Sequence, residues 1–446
     1  MQAQWNKLSI GELKSELHSL KLGQPKDIGK IKLLEKCIRN KLDAKKSEII
    51  PDLDRGLNKS FWKTCEKLFT TCSNILPPFS LQVAYDYFTG VLSCKAHSNF
   101  APPAWFPPLP SPTTSFNTSP PSYQEVTKAI NRMKNKSSPC PLDQIPIIAF
   151  KKCPILRTFL HKLLYSSWSQ SDIPSIWGWG LTILIYKKGS SDNPENFRPI
   201  TLQPVGYKIL SSIIRSRITT FLTVNKFVNT TIQKGFWPKS NGVTEHTSIL
   251  THLIEDTKRH HGSLVVAVLD LRNAFGVISH DLLYRALELH CVPPQVISLI
   301  SNIYKCANVN ISVNNSITNS IKVGWGVLQG DPYSPLLFNV CFNILIRTIS
   351  QDKFNSLGFA WGPSRNLCGT SWLQFADDSA LVSHDCKSAQ TLVDIASAWC
   401  KWSNIYLHPD ICVTCGMAKI DGGCCQFDSI QGQSQGFLLM APKFRQ

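Results

Sequence analysis

Acidic side chains are scarce in this 446-residue chain: 30 Asp and Glu face 47 Lys and Arg, a formal charge of +17. That imbalance argues against an acidic scaffold and draws the protein toward polyanions, nucleic acid first among them. Long apolar runs are missing as well. None approaches the roughly 18 residues a membrane span needs, so no membrane partner is expected. The amino terminus lacks the apolar stretch of a signal peptide. The 16 cysteines are scattered along a long chain, which fits reduced intracellular thiols better than a secreted disulfide framework.

The length allows two or three domains. Leu13, Leu17 and Leu20 recur at helical spacing, residues 23–27 interrupt them, and Leu33, Leu34 and Ile38 resume the pattern, so a small basic helical hairpin is expected. Residues 1–99 read as a helical amino-terminal region. From Phe100 to Ser122 Pro, Ser and Thr dominate, a composition that predicts an extended interdomain linker over 100–122. A second domain is expected from Tyr123.

Chemistry concentrates in four later stretches. In Ser371 to Val382, two short apolar strands flank Asp377 and Asp378 at their turn. Adjacent carboxylates repel each other, and a chain tolerates them best when a divalent cation lies between them and a further acid. The apolar run from Ser263 to Leu269 reads as a buried strand ending on Asp270, which is well placed to be that acid. Phe275, five residues on, either sets a ring against the sugar of an incoming nucleotide or packs in the core. The strand Trp179 to Tyr186 leads into Lys187, and the return through Asn196 brings Arg198 back toward it. A point charge and a planar fork then stand together, suited to phosphate oxygens or to solvent. In Gly326 to Phe338, Gly330 permits close backbone approach, Pro332 and Pro335 fit a helix start, and Gln329 faces the cleft.

Asn196-Phe197-Arg198-Pro199-Ile200, then Leu269-Asp270 with Asn273-Ala274-Phe275 and His280, then Gln329-Gly330-Asp331-Pro332 with Ser334-Pro335-Leu336-Leu337-Phe338, and last Phe375-Ala376-Asp377-Asp378 follow one another in a telling order. From about Tyr123 to Met417 the chain resembles the reverse transcriptases of non-LTR (LINE-type) retrotransposons. The resemblance implies an α+β right-hand polymerase fold, with fingers over 123–262, a palm of antiparallel sheet and helices over 263–430, and a short tail at 431–446 in place of a thumb. It implies Asp270, Asp377 and Asp378 as catalytic carboxylates for two magnesium ions, replaceable by manganese, with the Leu271 carbonyl completing one site. Lys187 and Arg198 would hold the triphosphate, Phe275 would gate against ribose, and Gln329 with Gly330 would line the nucleotide pocket. The implied partners are an RNA template, a DNA or RNA primer and deoxynucleotides, in a nuclear or cytoplasmic ribonucleoprotein. Residues 7–42 resemble the SAP module, which implies duplex DNA binding through Lys14, Lys30 and Lys32.

Departures from the family pattern bear on activity. Gly276 stands where Asp is frequent, and Ile411 stands where a Lys able to protonate pyrophosphate usually follows, with Lys419 the nearest substitute. No endonuclease-like segment precedes the Pro-rich stretch, so a partial or decayed element copy is expected. Two rivals remain: a non-catalytic nucleic-acid-binding derivative, and an RNA-dependent RNA polymerase. The latter class prefers a polar residue at the Phe275 position and Gly before the acid pair. Cys412, Cys415, Cys424 and Cys425 are too irregularly spaced to predict a zinc site.

Overall fold

The structure is a computed structural model that describes residues 5, 10–22, 29–31, 33–38, 76–93, 100–135, 142–238, 240–260, 262–314, 316–361, 368–408, 412–420 and 423–431. Two compact units divide it, Met1–Ile75 and Leu76–Gln446. The first holds helix α1 (Ile10–Leu22) and helical residues at 29–31 and 33–38. Trp5, Leu13, Leu34, Cys37 and Ile38 form its small core, as the leucine spacing predicts. The Trp5 indole donates to Glu16 Oε1 at 2.9 Å.

The second unit begins with α2 (Leu81–Leu92), whose first turn is capped by Ser80 Oγ accepting from the Val83 amide. Ala84 and Phe88 of this helix are buried in the main core. Here the boundaries differ from those expected, because α2, counted in the amino-terminal region 1–99, and the Pro-rich stretch, expected as a linker, both belong to this unit. Phe100, Phe106 and Phe116 are buried with α2 in the same core. Trp105 and Phe100 stack edge-on against Trp402, whose indole donates to Ala101 O at 2.8 Å. Composition marks this stretch as unable to pack, yet its few aromatic residues anchor an extended segment across the core.

Helices α3 (Tyr123–Arg132), α4 (Ile147–Lys152) and α5 (Pro154–Gln170) follow, then strands β1 (Trp179–Tyr186) and β2 (Phe197–Leu202) and helices α6 (Val205–Val224) and α7 (Gly242–Arg259). β3 (Leu264–Leu269) precedes α8 (His280–Leu289), α9 (Pro294–Cys306), β4 (Asn308–Val313) and α10 (Ser334–Ile349). After them come β5 (Trp372–Phe375), β6 (Asp378–Ser383), α11 (Cys386–Ser403), β7 (Val413–Ile420) and β8 (Gly423–Gln431).

The second sheet runs β8-β7-β3-β6-β5, antiparallel throughout, with helices beside it. It bears out the α+β expectation. β3 is central and almost wholly buried, as its unbroken apolar run demands. The first sheet pairs β1 antiparallel with β2 and parallel with β4. β4 comes from the range assigned to the palm, so this sheet crosses the boundary drawn at residue 263.

Arg217 on α6 fastens the Pro-rich stretch and α3 to this core. Its guanidinium donates to both Glu125 oxygens, at 2.9 and 2.6 Å, and to Asn117 O and Ser119 O, and it lies 4.4 Å from the Trp168 ring centre.

A buried histidine caps α8. His290 Nδ1 lies 2.7 Å from Ala286 O and its Nε2 lies 2.8 Å from Asn343 Nδ2 on α10, so a neutral ring donates to the first and accepts from the second. Burial, with Arg347 nearby, lowers its pKa to about 4. The neutral form belongs to the native state, so this contribution to stability is complete above the unfolded value near 6.5 and is lost as pH falls toward 4. Between pH 7 and pH 5 the parent should lose roughly 2 kcal/mol more than His290→Gln in urea unfolding. Equal pH slopes in the two proteins would show that His290 takes up its proton as readily in the native state as in the unfolded one.

Candidate active site

Asp270 immediately follows β3, and Asp378 opens β6. The ladder pairs Ser379 with Leu269, and one further step of that register sets Asp378 opposite Asp270. Asp377 occupies the two-residue turn between Phe375 and Asp378, which are themselves paired. The other turn residue, Ala376, has φ +56°, a left-handed value unfavourable for a side chain with a Cβ. Partial burial raises the pKa of Asp377, and the charge of Asp270 raises it further, while Arg198 and Lys187 pull it back. Asp378 is raised by burial, by Asp377 and by Asp270. Asp377 therefore feels the charge of Asp270, and Asp378 feels both.

Among the described residues, no three His, Cys, Asp or Glu side chains are gathered into a ready-made cage. Backbone register, not the present rotamers, is what brings the three carboxylates to one sheet end. Their oxygen chemistry, their crowded negative charge and their exposure fit a hard divalent cation. The Leu271 carbonyl is consistent with that set. An antiparallel bridge to Leu407 uses the Asp270 carbonyl, 2.8 Å from the His408 amide, and the Arg272 amide, 2.9 Å from Tyr406 O. The Leu271 carbonyl thus lies on the other side of the strand.

Lys187 and Arg198 come together across the β1–β2 hairpin. Ile185 pairs with Arg198 and the Lys187 amide donates to Asn196 O at 2.8 Å, so the two cations are diagonal neighbours on one face. Burial first, and then Arg198, lowers the Lys187 pKa, whereas Glu195 and Asp377 raise it. Both cations thus lie within electrostatic reach of the aspartate turn.

Gln329 and Gly330 sit beside the same hairpin. The Thr201 amide donates to Gln329 O at 2.7 Å, and Gly330, at φ +109°, leaves no room for a Cβ, which would stand 2.6 Å from Thr201 O. The next residue, Asp331, is buried and carries no role in the sequence assignment. Its carboxylate accepts from Tyr207 Oη at 2.5 Å, Gln203 Nε2 at 3.3 Å, Ser211 Oγ and the Tyr333 amide. Burial raises its pKa despite those donors. This network ties the Gln329 loop to α6.

Phe275 is partly exposed. Its ring stacks on Phe338 at 5.0 Å with an 11° interplanar angle, and its carbonyl accepts from the Val327 amide at 2.8 Å. Phe236 stands edge-on to it at 6.2 Å and also approaches Phe375. Its φ of +63° is an outlier for an aromatic residue. Residues 233–236 carry no assignment from the sequence. Gln233 and Gln374, both buried and both against the aspartate turn, were likewise missed. A polar residue inside the apolar strand Trp372–Phe375 was the available signal for Gln374.

The remaining candidates lie apart. Lys14 and Lys30 fall on helical residues of the first unit, and Lys32 lies outside the described residues. Ile411 also lies outside them, and Lys419 is on β7. No helix among the described residues is long and apolar enough to cross a membrane.

A palm-like antiparallel sheet with paired acids at a hairpin tip, and cations on a second hairpin within electrostatic reach of them, defines a nucleotidyl-transfer class of protein. A family model described as reverse transcriptase (RNA-dependent DNA polymerase) matches residues 185–421, more than half of the chain, and the chain belongs to that family. It is 26% identical over 236 residues to the Pol polyprotein of the type-2 retrotransposable element R2DM of Drosophila melanogaster, covering 53% of this chain and 21% of that protein. It is also 26% identical over 284 residues to the Pol polyprotein of a type-1 element R2 of Popillia japonica, covering 63% and 38%. These relatives bear out the non-LTR resemblance, and the chain spans only a fifth to two fifths of their length. A telomerase structure from Candida tropicalis aligns at 12% identity with a TM-score of 0.40, over 67% of this chain and 53% of that one.

Proposed function

We propose that this chain extends a primer 3′-hydroxyl with deoxynucleotides on an RNA template. The observation that supports it best is the register that sets Asp378 opposite Asp270 with Asp377 beside it in the turn, and with Lys187 and Arg198 in electrostatic reach of Asp377. Asp270, Asp377, Asp378 and the Leu271 carbonyl would hold two divalent ions, magnesium or manganese. Such ions supply Lewis acidity toward the attacking hydroxyl and neutralise charge on the leaving pyrophosphate. The carboxylates position these charges and do not themselves move protons. Lys187 and Arg198 bind triphosphate oxygens, one as a compact charge and the other as a fork. Gln329 and Gly330 form a wall of the nucleotide pocket, held against β2. The basic surface tracks the phosphates of template and primer, which makes binding steeply salt-dependent. Magnesium-dependent extension of a DNA primer on an RNA template tests the proposal. Tight duplex binding without extension would instead leave a non-catalytic nucleic-acid-binding protein.

Phe275 carries the choice of sugar in this proposal. Its ring is fixed by Phe338 behind it and by the Val327 bond to its carbonyl, so it cannot yield to a 2′-hydroxyl. Steric exclusion strands no buried polar group, so one side chain can carry much of the discrimination. Phe275→Ala should keep deoxynucleotide extension and raise relative ribonucleotide incorporation about 10²-fold in kcat/KM. Unchanged discrimination would make Phe275 a core residue and reopen the RNA polymerase alternative.

A further inference from the structure

We propose that Gln233 is a positioning residue of the catalytic centre, a clamp that holds the Ala376–Asp377 turn in its metal-binding shape. The assignment rests on the polymerase function proposed above and adds a residue outside the acid, cation and aromatic sets. Gln233 is only 2% exposed, and its side-chain amide has three partners. Oε1 accepts from the Ala376 amide at 3.0 Å and from the Gly235 amide at 2.8 Å, while Nε2 donates to Ala376 O at 3.2 Å. One side chain thus holds both polar groups of Ala376, the residue immediately before the acid pair.

The turn needs such a hold. A left-handed alanine beside two mutually repelling carboxylates is strained, and strain of this kind persists only where the surroundings over-determine it. Rotating the peptide between Phe375 and Ala376, which sets the Ala376 φ and carries the amide that Gln233 Oε1 holds, would relieve the backbone and re-aim the turn that carries Asp377. The surroundings oppose that rotation at each point. Gln374 Nε2 donates a second bond to Ala376 O at 2.6 Å, and Gln374 Oε1 accepts from Trp372 Nε1 and Ser379 Oγ. The main chain at Gln233 bridges in parallel to Gln374, with the Lys234 amide donating to Gln374 O at 2.9 Å. Gly235 packs so closely that a Cβ would collide with the Ala376 amide nitrogen, and its carbonyl accepts from Asn339 Nδ2 on α10 at 2.8 Å. Gln233 therefore couples the loop before α7 to the acid pair some 140 residues later in the chain.

The test uses the full chain bound to a primer–template duplex, with Mn2+ as the probe, titrated calorimetrically in the absence of nucleotide. Gln233→Met keeps the length and bulk of the side chain and removes all three hydrogen bonds. Mn2+ affinity should fall at least tenfold, amide hydrogen exchange at Ala376 should accelerate, and duplex affinity should stay within twofold. Gln233→Glu keeps the acceptor for both amides, so exchange protection at Ala376 should be retained and Mn2+ affinity should remain within threefold of the parent. A parent-like Mn2+ affinity in Gln233→Met overturns the clamp, as does a parent that binds no Mn2+. If Gln233→Met does not fold, Gln233→Glu decides alone: fast exchange at Ala376 or a tenfold loss of Mn2+ affinity overturns the clamp. Extension measured alongside separates the two proposals. A parent that binds Mn2+ but does not extend a primer ends the polymerase proposal, and a weakened Gln233→Met still supports the clamp. A parent that extends, with Mn2+ affinity unchanged in Gln233→Met, ends only the clamp.

Discussion

Asp377→Asn should extend a primer at least about 10³-fold more slowly than the parent, a loss of about 4 kcal/mol of transition-state stabilisation. The substitution is nearly isosteric and removes one negative charge from a site where Asp270 raises the pKa of Asp377 and both of them raise that of Asp378. A hard cation bound by the three acids would lose a charged ligand, and an amide oxygen is a poor replacement. The same charge is a burden to the fold while no cation balances it, since burial and Asp270 both oppose ionisation of Asp377. Asp377→Asn should therefore unfold at equal or higher urea concentration than the parent, while duplex affinity stays the same or increases. Loss of function together with gained stability distinguishes a functional acid from a structural one. Extension within tenfold of the parent would remove Asp377 from the catalytic set.

Arg217→Met should cost about 3–5 kcal/mol of unfolding free energy, the largest stability effect expected from one charged-to-apolar change on α6. The guanidinium is 8% exposed and satisfies the Glu125 carboxylate, two carbonyls of the Pro-rich stretch and the Trp168 face at once. Methionine replaces the volume but leaves Glu125 and two carbonyls without their donor. The removed partner matters more than the pair itself, because an uncompensated charge is left behind. In a double-mutant cycle, Glu125→Gln should recover part of the loss, and hydrogen exchange should quicken over 113–125. A cost below 1 kcal/mol would show that water replaces the guanidinium without penalty.

The acids proposed as catalytic were legible because local pattern and chemistry coincide at them. An apolar run ending on Asp270 and an acid pair at a hairpin tip are one-dimensional signals, and the β3–β6 register then follows from strands that each have a buried face. Lys187 and Arg198 were legible for a similar reason, since a short hairpin forces them together. Gln233 and Asp331 were not, because their partners lie more than 100 residues away in sequence. Nothing local distinguishes a buried Gln that clamps a turn from a solvated one. The Pro-rich stretch was misjudged on average composition, which hides the spacing of Phe100, Phe106 and Phe116. The parallel pairing of β1 with β4 was also invisible, because crossover partners leave no mark on either strand.

The sheet order has a consequence for the nascent chain. β3 is central, yet its neighbours β6 and β7 are made more than 100 residues after it, and Leu269 pairs with Ser379. At about 5–20 residues per second, a ribosome leaves this apolar strand without its ladder for roughly 6–20 s. Contacts of such sequence separation are also slow to close once the chain is complete. Chaperone demand and aggregation during synthesis should therefore centre on residues 264–269, the strand that delivers Asp270 to the site.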